Sequence, residues 1–237
     1  HPLDRLMPPH EDAYKPRWDL LYERESLRYR QDEFLYKVAA HGNGRYSCPP
    51  GWGKSRSIRM ICTLFPKARI LVTTDSVPII MTTILPDLYM TLPDVGVITG
   101  KKKQLGQRIM CVSFDSLHHV DPEWPDIIVI DEVHQAGSNS ANERLGRFEN
   151  PWIIGLTATD DMRADGANLA VEGLCGPLRL EIPYQEAQAH GLVGEIRIVW
   201  GRVPMTENPC EDCETKYDRL RAGIWTNQVR NQLIIDA

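Results

Sequence analysis

The segment PDIIVIDEVH, residues 125–134, constrains the fold of this chain more than any other. Four apolar residues in a row stop at two carboxylates, Asp131 and Glu132. A strand with one wet face alternates polar and apolar residues. An unbroken apolar run reads as a strand buried on both faces, the habit of parallel strands inside an α/β sheet. Open α/β sheets bind ligands beyond the carboxyl ends of their strands, where these two acids fall. One acid there can hold Mg²⁺ while its neighbour polarises an attacking water.

Upstream, SCPPGWGKSR (47–56) carries Gly53-Lys54-Ser55, the end of a phosphate-binding loop. In such a loop backbone N–H groups wrap the phosphates at a helix N-terminus, the lysine reaches the outer phosphates and the hydroxyl holds Mg²⁺. The pattern G-x-x-x-x-G-K-[ST] places a glycine where this chain has Cys48. Gly51 and Gly53 remain at the positions where the backbone needs positive φ or close approach, and cysteine is small enough for the outer position. The buried strand ending in Asp131-Glu132 downstream of this loop makes the pair a nucleotide site.

Along the rest of the chain the periodicity predicts a helix from about Glu23 to Ala40 and a short strand in GRYSCPP. It predicts a helix in KSRSIRMICTLF, a strand in ARILVTT and a helix over SVPIIMTTILPDLYMTL in spite of its prolines. Strands follow in VGVIT and RIMCVSF, with the basic turn Lys101-Lys102-Lys103 between them. Then come a short helix in ERLGRF and a buried strand in PWIIGLTAT, and finally strand LRLEIP, helix YQEAQAHG and strand GEIRIVW. Strands alternating with helices imply a mostly parallel central sheet with helices on both faces.

The 237 residues are 42% hydrophobic and 25% charged, enough for a real core. A formal net charge of −5 argues against coating nucleic acid by bulk charge but leaves room for a local basic groove. No run of 18 apolar residues exists, so a membrane helix is excluded. The N-terminus has no apolar core and is not a signal peptide. The first residue is His1, which reads as a processed or excised chain. Six cysteines scattered through core-like stretches suit a reducing compartment, so the expected location is cytoplasmic, or the host cytoplasm if a phage encodes it.

With both motifs in place, the chain resembles the first motor domain of superfamily 2 helicases. It is similar to the DExH group that includes XPB-type repair helicases, phage UvsW-type helicases and type III restriction motor subunits. The resemblance covers residues 25–200 and implies a RecA-like P-loop fold using ATP and Mg²⁺. It implies an N-terminal segment at 1–24, and at 201–237 a linker leading to a second RecA-like domain of the full-length chain. LRYRQDEF resembles the glutamine-containing segment, implying that Gln31, with Arg28 beside it, contacts adenine. PPGWGKS is motif I, implying nucleotide contacts from Pro50, Gly51, Trp52, Gly53, Lys54, Ser55 and Arg56, with Ser55 and Asp131 on Mg²⁺. Pro50 stands where the family usually has Thr. DEVH is motif II, implying Glu132 as the base and His134 as the coupling residue. GLTAT is motif III, implying that Thr157, Ala158 and Thr159 link hydrolysis to nucleic-acid grip; MRADG and LCGPL after it are typical of the group. VITGKKK and SFDSL resemble segments lining the nucleic-acid track, implying Thr99, Gly100, Ser113 and Ser116, and LVTTDS matches through Thr74.

The resemblance implies a motor that remodels or unwinds nucleic acid, with DNA the expected partner. A double-stranded DNA translocase within a nuclease or packaging machine, and a nucleotide-binding interaction module without productive hydrolysis, are the alternatives. Among the other features, the Lys101–Lys103 run reads as a solvated face or a backbone contact. Cys210 and Cys213 have zinc-ligand spacing but no second pair nearby. His118 and His119 read as structural histidines, Trp52 as a flanking residue, and Tyr14 or Trp18 either stacks on adenine or packs against the domain.

Overall fold

Along each central strand, successive apolar side chains go to opposite faces. Ile127 and Val129 join one buried cluster, and Ile128 and Ile130 the other. The same division separates Ile70 and Val72 from Leu71, and Ile109 and Cys111 from Met110 and Val112. The computed structural model describes residues 12–93, 95–106, 108–158, 167–194, 203 and 208–235. Its chain divides into two compact units, residues 1–194 and 195–237.

In the first unit the described strands are β1 (Gly44–Ser47), β2 (Ile70–Thr74), β3 (Val95–Ile98), β4 (Lys103–Gln104), β5 (Ile109–Ser113), β6 (Ile127–Ile130), β7 (Trp152–Thr157) and β8 (Leu178–Glu181). They form one sheet in the order β4-β3-β5-β2-β6-β7-β1-β8. Every pairing is parallel except β3 with β4, a hairpin in which Ile98 registers opposite Lys103. Helices α1 (Trp18–Arg24), α2 (Gln31–His41) and α3 (Lys54–Leu64) cover one face through Leu21, Phe34, Val38, Ile58 and Ile61. A helical stretch of α4 (Val77–Ile79), a π turn (Ile80–Ile84) and α5 (Leu85–Tyr89) adds Ile80, Ile84 and Leu88 to that face. On the other face α6 (Asn139–Leu145) and α7 (Ala167–Cys175) contribute Leu145, Val171 and Cys175. Beyond β8, α8 (Tyr184–Ala189) closes the unit with buried Ala187.

Two expectations need correction, and one open alternative is decided. The helix predicted over 23–40 is two helices, because Glu25 leaves the helix in extended conformation and Arg30 takes a left-handed φ of 55°. Buried Glu25 there accepts from Arg59 at 2.7 and 3.0 Å and from Arg56 at 3.3 Å. The helix over 77–89 is interrupted by its π turn, in which the Leu85 N–H reaches Ile80 O. Pro86 follows at once, and a ring with no N–H cannot continue the regular ladder. Tyr14 packs against the domain, stacked on Trp152 at 4.3 Å with its hydroxyl donating to Asp126 O at 3.2 Å; Trp18 stacks on Tyr36 at 4.4 Å. Of the strand predicted in GEIRIVW, residues 195–200 lie outside the described residues.

In the second unit a turn around Cys210 and Cys213 precedes α9 (Lys216–Leu220), a π turn (Arg221–Trp225) and α10 (Gln228–Ile235). Thr215 caps α9 by accepting from the Asp218 N–H at 3.1 Å. Among the described residues no group of three or more His, Cys, Asp or Glu side chains converges as a metal site, around Cys210 and Cys213 or elsewhere. No described helix is long and apolar enough to cross a membrane.

Candidate nucleotide site and adjoining cleft

β1 ends at Ser47, and the Cys48 N–H donates to Thr157 O at 2.8 Å, tying the loop's first residue to the end of β7. Cys48 is fully buried, which pushes its thiol up to about 12, so it fills the outer loop position as a neutral packing group. Gly51 and Gly53 have φ of 84° and 105°, values that L side chains rarely adopt. A Cβ on Gly51 would also lie 2.9 Å from Leu192 O. α3 starts at Lys54 with Gly53 as its N-cap residue, so the loop delivers the free N–H groups of an eleven-residue helix to its mouth. Ser55 is half-buried in that first turn, while Pro50 and Gly51 are exposed.

Trp52 is the loop's anchor. Its side chain is fully buried, edge-on to Phe34 at 5.7 Å, and its indole N–H donates to Tyr29 O at 2.8 Å. Trp52, expected to flank the site, does so with its ring turned to the core. Gln31 is fully buried as well. Its Oε1 accepts from the Arg28 N–H at 2.9 Å and its Nε2 donates to Trp52 O at 3.2 Å. The glutamine amide thus braces the loop, and the exposed neighbour that reaches the loop is Arg28, whose Nη1 would lie 3.9 Å from a Cβ on Gly53. The Arg56 guanidinium donates to Glu25 at 3.3 Å and to Ser26 O at 2.6 Å, across the helix break.

Across from the loop, β6 delivers Asp131 and Glu132. The Asp131 N–H donates to Thr73 O at 2.9 Å, continuing the sheet by one bond. Glu132 has a left-handed φ of 52°, a strained conformation for a side chain with a Cβ. From it a polar chain runs through the site. Lys54 Nζ lies 3.5 Å from Glu132 Oε1 and 3.5 Å from Cys48 O, and His134 Nδ1 lies 3.4 Å from Glu132 Oε2 and 3.2 Å from Thr157 Oγ1. Asp131 is buried, and its Oδ1 has no hydrogen-bond partner among the described residues. Burial and then the Glu132 charge raise its carboxyl above the ordinary range, with Lys54 opposing. A buried carboxylate oxygen without a donor suits a divalent cation, so this donor set fits Mg²⁺. Ala158 ends the described part of GLTAT, half-buried; Thr159 and MRADG lie outside the described residues.

Along the same sheet edge, Thr99, Gly100, Ser113 and Ser116 line a single cleft of about 470 Å³, joined by Lys101, His118 and His119. The Ser113 and Ser116 hydroxyls are 3.0 Å apart. Thr74 stays out of it, buried at the end of β2 and in register with Ser113. The two histidines are exposed, with ring centroids 3.9 Å apart and planes tilted, correcting their reading as structural groups. A neighbouring cleft of about 320 Å³ runs between Asp75, Gln135 and Arg144.

The solved structures of several motors share this fold. The UvsW helicase from bacteriophage T4 superposes with a TM-score of 0.57 at 14% identity, over 66% of this chain and 61% of its own. The Hef helicase domain of Pyrococcus furiosus gives 0.57 at 21% identity, over 79% and 43% respectively. The Sulfolobus solfataricus SWI2/SNF2 ATPase core, solved with double-stranded DNA, gives 0.55 at 16% identity, over 77% and 41%. This chain thus spans less than two thirds of each, and what they share with it is the RecA-like fold. No curated protein matches the chain. The family model described as type III restriction enzyme, res subunit, matches residues 24–161, more than half of the sequence and the whole span from the Arg28–Gln31 segment through motif III, and the chain belongs to that family.

Proposed function

We propose that this chain is the first RecA-like half of an ATP-driven motor that remodels or unwinds DNA. The observation that carries the reading is the orphaned, buried Asp131 Oδ1 beside the Lys54–Glu132 pair at the carboxyl edge of the sheet. Lys54 would leave Glu132 to hold the β and γ phosphates, and Ser55 with Asp131 would hold Mg²⁺. Released from the lysine, Glu132 would orient and deprotonate the attacking water, while His134 relays its position to Thr157. Arg28, exposed at the loop, would reach the adenine. When bound, Mg²⁺ neutralises charge on the β and γ phosphates. The rest of the catalysis is positioning, which this edge supports with a rigid loop and a strained Glu132.

A second RecA-like domain would supply the arginine that completes the γ-phosphate site, in keeping with the 61% and 43% shares of UvsW and Hef that this chain spans. Without that arginine, turnover by this chain alone falls by about three to five orders of magnitude. The family match to a restriction res subunit favours a second reading, a double-stranded DNA translocase that does not separate strands. The test is the ATPase rate of the full-length protein with single-stranded, duplex and branched DNA, with Glu132→Gln as control. Stimulation with strand separation supports unwinding, and stimulation without it supports translocation. A rate that no nucleic acid changes would reduce the chain to a nucleotide-binding interaction module.

A further inference from the structure

We propose that His118 and His119 form a proton-linked phosphate clamp in the cleft beside β3 and β5, gripping a single-stranded DNA backbone more tightly as pH falls below neutral. The inference rests on the nucleic-acid reading of this edge and adds to it a pair of contacts and their regulation.

The geometry makes the case. The two imidazoles end the Phe114–His119 turn, exposed, with centroids 3.9 Å apart and planes tilted by 45°. They share their cleft with the buried hydroxyls of Ser113 and Ser116, and with Thr99, whose Oγ1 accepts from the Lys102 N–H at 3.2 Å. The charged groups facing the pair are Lys101 and Lys103 from the hairpin of β3 and β4, and Asp115 from the histidines' own turn. Asp115 is engaged by Arg144 of α6 at 2.6 Å, so the one acid in the cleft is neutralised by a partner from the next element.

Protons on touching rings repel each other, and nearby lysines oppose them further. His119 accordingly sits below its ordinary value, through desolvation first, then His118, then Lys103. A phosphodiester would bring in the negative charge that the cleft lacks. It would stabilise the imidazolium form, so binding takes up a proton and affinity rises as pH falls through the pKa of the complex. By reciprocity, DNA must raise the His119 pKa.

The test uses the full chain and an oligo(dT) labelled with tetramethylrhodamine, so that neither bases nor dye titrate between pH 5.5 and 8. Anisotropy at constant ionic strength should give roughly tenfold tighter binding at pH 5.5 than at pH 8, the effect of about one proton. In the His118→Gln/His119→Gln double variant that difference should collapse. Lys101→Gln should weaken binding at both pH values and keep the difference. The His119 NMR titration should move upward when oligo(dT) is added. Tight binding that ignores pH, or a pH dependence that survives the double variant, overturns the clamp and leaves the nucleic-acid reading standing. No binding at either pH overturns both.

Discussion

The two edges of the sheet solve opposite problems. At the amino edge the charges are fully engaged. The backbone N–H of Arg69 donates to Asp126 Oδ2 at 2.7 Å, its guanidinium reaches both carboxylate oxygens at 3.3 Å, and Tyr14 seals the edge against Trp152. Arg108 adds three donations to carbonyls, to Phe65, Ala68 and Cys62, at 3.1–3.2 Å. The carboxyl edge instead holds a carboxylate oxygen with no donor, a glutamate in left-handed conformation and a lysine 3.5 Å from its partner. Strain and unmet hydrogen bonds persist only where the surrounding fold supports them, and they gather where a ligand is to be received. One edge supplies the stability that lets the other stay incomplete.

Substitutions at the two edges should therefore separate rate from stability. The largest effect falls on catalysis. Glu132→Gln should lower ATP turnover of the full-length protein by about 10²–10⁴-fold, with nucleotide binding retained and the melting temperature little changed. A similar loss in stability with intact turnover would reverse the comparison. Next in size, Asp126→Ala should destabilise the fold by about 3–5 kcal/mol, because it leaves the buried Arg69 charge without its carboxylate. Urea unfolding would read this as a lower midpoint, and the residual folded protein should bind nucleotide normally.

Much of the carboxyl edge was legible in the sequence, for reasons that mark its limits, and the ion pairs of the amino edge were not. The IIVI run identified a doubly buried strand because apolar residues on both faces leave no other reading. Gly51 and Gly53 were legible because positive φ has a residue signature. The break after α1 was not, because Glu25 leaves the helix to reach arginines 31 and 34 residues away, and helical periodicity sees only three or four. Trp52 reads in the sequence as a residue flanking the site. Its burial depends on Tyr29 and Phe34 arriving from another segment. His118 and His119 gained their place in a cleft only when the hairpin of β3 and β4 brought Lys101 and Lys103 beside them.

Trp52 gives a prediction of intermediate size that joins stability to the site. Trp52→Phe keeps an aromatic ring against Phe34 but removes the indole donor and leaves Tyr29 O without that bond. The expected cost is about 1–2 kcal/mol in urea unfolding. Because the same residue's carbonyl accepts from Gln31, the loop should loosen locally as well. Faster amide exchange over residues 49–55 than over β6 would check this, and uniform acceleration would show that Trp52 serves the core alone.

The smallest effect is the most diagnostic of an edge held ready for a cation. The Asp131 carboxyl is raised above its ordinary 3.8 by burial, so the folded chain holds that proton more tightly than the unfolded chain does. For an acid raised in this way, stability is greatest at low pH and declines as pH rises from 3.8 through the folded value, beyond which the cost of the buried charge is complete. Asp131→Asn removes the charge. In EDTA at pH 8 it should therefore raise the melting temperature by about 2–4 °C, corresponding to about 1 kcal/mol, with a smaller gain at pH 4.5. Added Mg²⁺ should stabilise the wild-type chain and leave Asp131→Asn unmoved, since a cation that binds only the folded state stabilises by mass action. A variant less stable than wild type in EDTA would show that the Asp131 charge is already satisfied within the protein, and the contrast between the two edges would fail at its central residue.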